Sequence, residues 1–334
     1  MEIKETPAVV QRQLEQYPTI FAQWPRSLSE AKFYSLLTVA RGSSDHAAQY
    51  LNYVTALKLG KLSTSFTPSL LTLYKKKIMA QQSLAVAISQ SGKSPDVILP
   101  MKHFQKNAQS TLAIVNDETS PLARQVEGFL PLLAGPELSV AATKSFMASC
   151  SASAFLISLW AKDKKISRAL QKLPNDIELA QKVAWQKAIP SLLKTEKLLV
   201  IGRGISLPMA FEAALKLKET CGIQAEAFSS AEVQHGPQAI IEKGYPVLIF
   251  ANRGPTLSHL IDCAKKLRQR KAKVLLVAPK NVPTRDFDFP VAHEEILDPI
   301  CGMASFYLLV EELSRAKGFN PDRPPHLQKV TKTY

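Results

Sequence analysis

The amino-acid sequence predicts an α/β protein of two tandem domains, each a parallel sheet flanked by helices on both faces. Three observations predict it. The segment Leu36-Leu37-Thr38-Val39-Ala40-Arg41-Gly42-Ser43-Ser44 returns in kind as Leu198-Leu199-Val200-Ile201-Gly202-Arg203-Gly204-Ile205-Ser206. Short continuous apolar runs alternate with helical patterns, as βαβ units with strands buried on both faces require. The repeated runs end in glycine, which allows a tight turn, and serine, which can cap the helix that follows.

In order along the chain, Ala8 to Trp24 reads as a helix ahead of the first strand, within an N-terminal segment 1–24. The first domain, 25–162, holds strand signals near Leu36 to Val39, Ser63 to Ser69, Leu84 to Ser89, Thr111 to Val115 and Phe129 to Leu133. A connecting segment, 163–189, carries an amphipathic, charged helix around Ser167 to Lys187. The second domain, 190–318, repeats the plan with Leu198 to Ile201, Ala225 to Ser230, Pro246 to Ala251 and Lys273 to Ala278. The tail, 319–334, carries Pro321, Pro324 and Pro325 and reads as an extended arm, with disorder as the alternative.

Composition narrows the function classes. The chain has 334 residues, 46% hydrophobic and 21% charged, which suits a globular protein with two cores. No apolar run is long enough to span a bilayer, and the N-terminus lacks a signal-peptide pattern. Cys150, Cys221, Cys263 and Cys301 are scattered without CxxC spacing, so a reducing cytoplasm is expected rather than disulfides or zinc. The net charge of +14 raises the question of nucleic acid. The basic residues are spread out and not interleaved with aromatics, so solvated surface and some attraction for small anions are expected instead.

The run Leu84-Ala85-Val86-Ala87-Ile88 leads directly into Ser89-Gln90-Ser91-Gly92-Lys93-Ser94, then Pro95. Strand, polar turn and helix N-terminus form an anion site: backbone N–H groups and the helix dipole point at the ligand, and hydroxyls add donors. An ordinary capped turn is the alternative. Ile88 to Asp96 resembles the SQSG-type signature of the sugar isomerase (SIS) domain, and the repeat then reads as two tandem SIS domains. Together with the motifs below, the chain resembles the isomerase half of glutamine–fructose-6-phosphate aminotransferase over nearly its whole length. The resemblance implies that Ser89, Gln90, Ser91 and Ser94 hold a substrate phosphate, with Ser43 and Ser44 beside them. Lys93 departs from the pattern, where an acidic residue is usual. Glu137-Leu138-Ser139-Val140-Ala141-Ala142-Thr143-Lys144 resembles the segment whose valine backbone touches the sugar, so Val140 takes that role by resemblance.

Glu212, Lys216 and Glu219 are spaced i, i+4, i+7 and share one helix face. From spacing alone a surface salt-bridge ladder is the default reading; against it, the apolar residues between them allow a partly dry site with tuned pKa values. His235 precedes Gly236-Pro237 on a constrained loop, a placement that suits an acid–base imidazole. The resemblance implies that His235 opens the sugar ring in a site shared with a neighbouring subunit of a homodimer. It implies that Glu219 moves the proton between C1 and C2, with Lys216 and Glu212 in support. Leu327-Gln328-Lys329-Val330-Thr331 resembles the family's terminal segment, which implies a lid, a Schiff-base-competent Lys329 and a sugar-contacting Gln328 in place of alanine.

An aldose–ketose interconversion needs a base that returns the proton and a group that opens the ring. No metal-ligand cluster is visible, and neither metal nor cofactor is required. The aminotransferase has a glutaminase domain with a nucleophilic cysteine, whereas here no cysteine precedes Cys150 and Met1 to Pro7 corresponds to the start of the isomerase half. The expected reaction is therefore the reverse one, a glucosamine-6-phosphate deaminase giving fructose 6-phosphate and ammonia. A fructosamine-6-phosphate deglycase, a galactosamine-6-phosphate deaminase and a non-enzymatic sugar-phosphate sensor are the alternatives.

Overall fold

The computed structural model describes residues 2–30 and 32–329. In the first half, β1 (Ser35–Val39), β2 (Leu62–Ser65), β3 (Ala80–Ser89), β4 (Ala108–Val115) and β5 (Gly128–Pro131) form a parallel sheet in the order β2-β1-β3-β4-β5. In the second, β6 (Lys197–Gly202), β7 (Gln224–Ser229), β8 (Pro246–Phe250), β9 (Lys273–Ala278) and β10 (Phe287–Asp288) pair in parallel as β10-β9-β8-β6-β7. Counted within each half, the two orders are the same, so the sequence repeat is a repeat of topology. Both are doubly wound sheets whose strand order reverses between β1 and β3, and between β6 and β8.

The longer helices are α1 (Thr6–Ala22), α2 (Ser43–Leu59), α3 (Pro95–Asn107), α4 (Lys144–Ala161), α5 (Leu207–Cys221), α6 (Leu257–Gln269) and α7 (Asp298–Ala316). The strand period of two sorts side chains to opposite faces. Leu84, Val86 and Ile88 of β3 and Leu198 and Val200 of β6 enter one core shared by both halves, filled by α2, α4, α5 and α7. Ala85 and Ala87 face a separate outer core with Val97, Met101 and Phe104 of α3. Leu199 and Ile201 face another with Leu260, Ala264 and Leu267 of α6. The two sheets thus sandwich a common helical layer, and residues of both halves meet there.

Several expectations change in detail. The segment expected to be one helix over Ser167 to Lys187 is two short helices, Lys164–Leu170 and Leu173–Ala180, followed by a 3-10 turn Trp185–Ala188. Pro174 sits in the first turn of the second helix, where its missing N–H is harmless, but it cannot continue the preceding helix. Buried Leu170, Leu173 and Trp185 anchor the pieces separately. The N-terminal helix begins two residues early, at Thr6. The strand β10 is two residues long and had no apolar run to announce it. The tail from Gly318 onward carries no helix or strand among its described residues. Among the described residues no helix is long and apolar enough to cross a membrane, and no group of three or more His, Cys, Asp or Glu is placed to hold a metal.

Candidate functional site

The turns after β1 and β3 face each other across the first switch point and enclose a cleft of ≈ 620 Å³. Ser44, Ser89, Gln90, Ser91, Ser94 and Lys329 line it, as the sequence motifs had grouped them. The turn is built from its own hydroxyls. The Gly92 N–H donates to Ser89 Oγ at 3.0 Å, and the Lys93 N–H donates to Ser91 Oγ at 3.3 Å. Gly92 has φ +62°, and a Cβ there would collide with the Ser120 hydroxyl, so only glycine fits. Ser94 precedes α3 without capping it through its side chain. The first turn differs from expectation: Gly42, at φ 55°, is the N-cap of α2, and Ser43 and Ser44 begin the helix. Ser43 is half-buried and does not line the cleft.

Two further residues tie the turns together. Arg41 donates through Nε and Nη2 to Asp96 Oδ2 at 3.1 and 2.8 Å. Lys93, the departure from the motif, turns away instead. Its Nζ lies 2.9 Å from Asp117 Oδ2. The hydrogen bond from Lys93, then that from Thr119, hold the Asp117 carboxyl down at about 2.

Of the three residues on the shared helix face, Glu212 and Lys216 are buried and Glu219 is half-buried, which excludes the surface-ladder reading. Glu212 and Lys216 are enclosed, with Lys216 Nζ 3.6 Å from Glu212 Oε1 and 2.5 Å from Glu219 Oε2. His46 reaches across from α2 of the first half to place Nδ1 2.8 Å from Glu212 Oε2, and the Tyr307 hydroxyl of α7 donates to Glu212 Oε1 at 2.9 Å. Burial alone would raise the Glu212 pKa, but Lys216, His46 and Tyr307 outweigh it and the carboxyl is lowered. Burial alone would lower Lys216, but Glu212 and Glu219 outweigh it and the amine is raised. Both directions describe a charged pair held in a dry site. Glu219, at 21% side-chain exposure, is the open end of this chain.

The tail comes back to the first half. Lys329 Nζ lies 3.2 Å from Glu137 Oε2 and donates to the Ser139 carbonyl at 2.6 Å. The buried Glu137 carboxylate also accepts from the Thr143 and Ser145 N–H groups, each at 3.0 Å, at the start of α4. The Val140 N–H donates to the Asp322 carbonyl at 3.1 Å, so the tail rather than solvent covers that backbone. Gln328 is exposed and does not line the cleft; Val330 and Thr331 lie outside the described residues. His235 is exposed on a 3-10 turn, Glu232–His235, and is not brought to the cleft within this chain. Sequence reasoning missed Arg41, His46, Asp96, Glu137 and Tyr307 as site residues. Arg41, Asp96 and Glu137 stand inside the quoted motifs, and His46 lies one helical turn past Gly42; Tyr307 had no such signal.

The model of the SIS domain matches residues 27–159 and 191–286, one match in each half. The chain belongs to the SIS-domain family. It is 32% identical over 322 residues to the glutamine–fructose-6-phosphate aminotransferase of Thermococcus kodakarensis, covering 91% of this chain and 53% of that protein. The chain therefore spans about half the length of the curated relatives it matches. Among solved structures, a Silicibacter pomeroyi protein provisionally assigned as a phosphosugar isomerase is 37% identical with a TM-score of 0.88, covering 96% of this chain and 98% of that one. The C-terminal domain of the Francisella tularensis glucosamine-fructose-6-phosphate aminotransferase is 25% identical with a TM-score of 0.84, covering 97% of each chain. A glucosamine-6-phosphate deaminase from Thermotoga maritima, 23% identical, shares the fold with a TM-score of 0.76, covering 98% of this chain and 100% of that one.

Proposed function

We propose that this SIS protein is an amino-sugar-phosphate deaminase and isomerase that converts glucosamine 6-phosphate to fructose 6-phosphate and ammonia. Homology to the aminotransferase C-terminal domain supports enzymatic activity of the amino-sugar or phosphosugar isomerase and deaminase type. The observation that carries the reading is the buried chain His46–Glu212–Lys216–Glu219, which leaves one carboxylate accessible and backed by a lysine. A sensor that only bound a sugar phosphate would need the serine cleft and not this chain.

In the proposed sequence, His235 of a neighbouring subunit opens the ring, which makes the working unit a homodimer with a shared site. Glu219 takes the proton from C2 and returns it to C1, so the C2 amine becomes an imine. Water adds to that C2 carbon, the C–N bond breaks, ammonia leaves and the C2 carbonyl of fructose 6-phosphate remains. Lys216, with Nζ 2.5 Å from Glu219 Oε2, positions that carboxylate. In this reading Lys329, which lines the cleft and contacts Glu137, meets the C2 carbonyl. A cytoplasmic location fits the four buried, unpaired thiols.

The experiment is incubation of the pure protein with glucosamine 6-phosphate, reading ammonia and fructose 6-phosphate, with galactosamine 6-phosphate and fructosamine 6-phosphates in parallel. Stoichiometric ammonia and fructose 6-phosphate from glucosamine 6-phosphate is expected. Release from another substrate alone would move the assignment to that substrate, and no release from any folded sample would overturn it.

A further inference from the structure

The serine cleft contains a cation to which neither the SQSG-type signature nor the proposed chemistry gives a task. Arg41 is the second residue beyond β1 and lines the cleft at the switch point, between the two turns. Its Nε and Nη2 both rest on one oxygen of Asp96, at 3.1 and 2.8 Å. The Asp96 side chain is 3% exposed and that of Arg41 51% exposed, so the ion pair is buried at the carboxylate and open at the guanidinium. A guanidinium carries five N–H donors in a rigid fork. Two directed at Asp96 fix its plane and leave donors for a ligand.

Among the described residues, Lys93 and Lys329 are the other cations of the two motifs at the cleft, and both are engaged elsewhere. Lys93 pairs with Asp117 and does not line the cleft. Lys329 lines it, but its Nζ is held by Glu137 and the Ser139 carbonyl. Serine hydroxyls and two helix N-termini supply donors and partial positive charge, equivalent to roughly half an elementary charge each. A phosphate monoester carries about −1.5 to −2 near neutrality.

We propose that Arg41 is the phosphate-binding cation of the cleft, with Asp96 as the residue that aims it. The planar fork matches phosphate geometry in a way a lysine point charge does not. This inference rests on the reading that a sugar phosphate occupies the cleft, and it adds a residue that sets the preference for phosphorylated over neutral sugars.

The test is calorimetric titration of inorganic phosphate and of glucose 6-phosphate into the full-length protein, its Arg41→Met/Asp96→Asn variant and Arg41→Gln. The double substitution removes both charges, so any loss of affinity comes from the missing cation and not from a bared carboxylate. Circular dichroism and melting confirm the fold. The expected result is a loss of about 10- to 100-fold in affinity for both anions, with a flatter salt dependence. With glucosamine 6-phosphate the loss falls on KM and spares kcat. Should the double variant fail to fold, Arg41→Gln, whose amide can still donate to Asp96, carries the same comparison. A folded variant with unchanged affinity and unchanged salt dependence would make Arg41 a clamp between turns and overturn the proposal, as would a wild-type protein that binds neither anion. If phosphate binding depends on Arg41 while no ammonia is released, the assignment of Arg41 stands and the deaminase reading fails.

Discussion

The two halves share one strand order and differ where that order reverses. In the first half, the turns after β1 and β3 stand apart, and their hydroxyls line a cleft. In the second, the corresponding turns close on each other. The buried Ser206 Oγ accepts the Arg203 N–H at 3.0 Å and faces the carbonyls of Arg203 and Phe250, at 3.0 and 3.1 Å, which joins the β6 turn to the end of β8. Where the first half has Gly92 beside Ser120, the second has Gly254 at φ +102°, and the Glu295 carboxylate fills the space a Cβ would take. Arg253 there is used up by a two-pronged pair with buried Asp298, at 2.7 and 2.8 Å. One repeat unit thus leaves its switch point open as a cleft, and the other closes it with internal hydrogen bonds. The second half contributes instead through α5, which carries Glu212, Lys216 and Glu219. Duplication of one fold has thus left one switch point open and closed the other, while the closed copy carries the Glu212–Lys216–Glu219 chain on the helical layer that both halves share.

The largest expected effect comes from breaking that division of labour at Glu219. The substitution Glu219→Gln keeps the shape and removes the base. Turnover of glucosamine 6-phosphate should fall about 10²- to 10⁴-fold. Affinity for glucose 6-phosphate, which depends on the first half, should stay within about twofold. Parallel steady-state kinetics and calorimetry check this. If binding and turnover fell together, the two halves would not have separate tasks.

A smaller effect sharpens the contrast between the two serine turns. Ser206→Ala removes a buried hydroxyl that accepts one N–H and donates its single hydrogen between two carbonyls, and should lower stability by about 1–3 kcal/mol in denaturant unfolding while leaving sugar-phosphate affinity unchanged. Ser91→Ala, on the half-buried cleft wall, should weaken that affinity by about tenfold with little change in stability. The reverse pattern would mean that the second turn binds and the first only folds.

The fold was legible because its signals are local. A strand buried on both faces writes itself as a continuous apolar run, as Leu84 to Ile88 and Leu198 to Ile201 do, and the repeat doubled every such signal. The serine turn was legible for the same reason, since its strand, turn and helix start are consecutive in the sequence. The expected single helix over Ser167 to Lys187 failed because three separate anchors in the shared core override its charge pattern. The partners of the acid–base set could not be read from spacing. His46 and Glu212 are 166 positions apart, Tyr307 and Glu212 95, and Lys329 and Glu137 192. The first two pairs meet because the helical layer between the sheets is common to both halves, and the third because the tail folds back on the first half. The same helical face that looks like a salt-bridge ladder in one dimension becomes a buried relay when α2 and α7 close over it.

The smallest expected effect is at Lys93, the cation of the serine turn that points away from the cleft. Its role should be confined to the turn's outer edge, where it holds Asp117 ionised. Asp117 has a folded-state pKa of about 2, lowered chiefly by its hydrogen bond from Lys93. An unfolded aspartate titrates near ~3.9. A depressed carboxylate adds stability that is fully present above the unfolded pKa and is lost as pH falls through the folded one. The melting difference between the wild type and Lys93→Ala should therefore be small and constant above about pH 5, then shrink towards zero as pH approaches 2. Affinity for glucose 6-phosphate should change by no more than about twofold, within the range expected of a screened surface charge. A tenfold loss of affinity in Lys93→Ala would transfer the cation's task from Arg41 to Lys93. The open turn of the first half would then owe its anion preference to its own sequence alone and not to the pairing of two turns across the switch point.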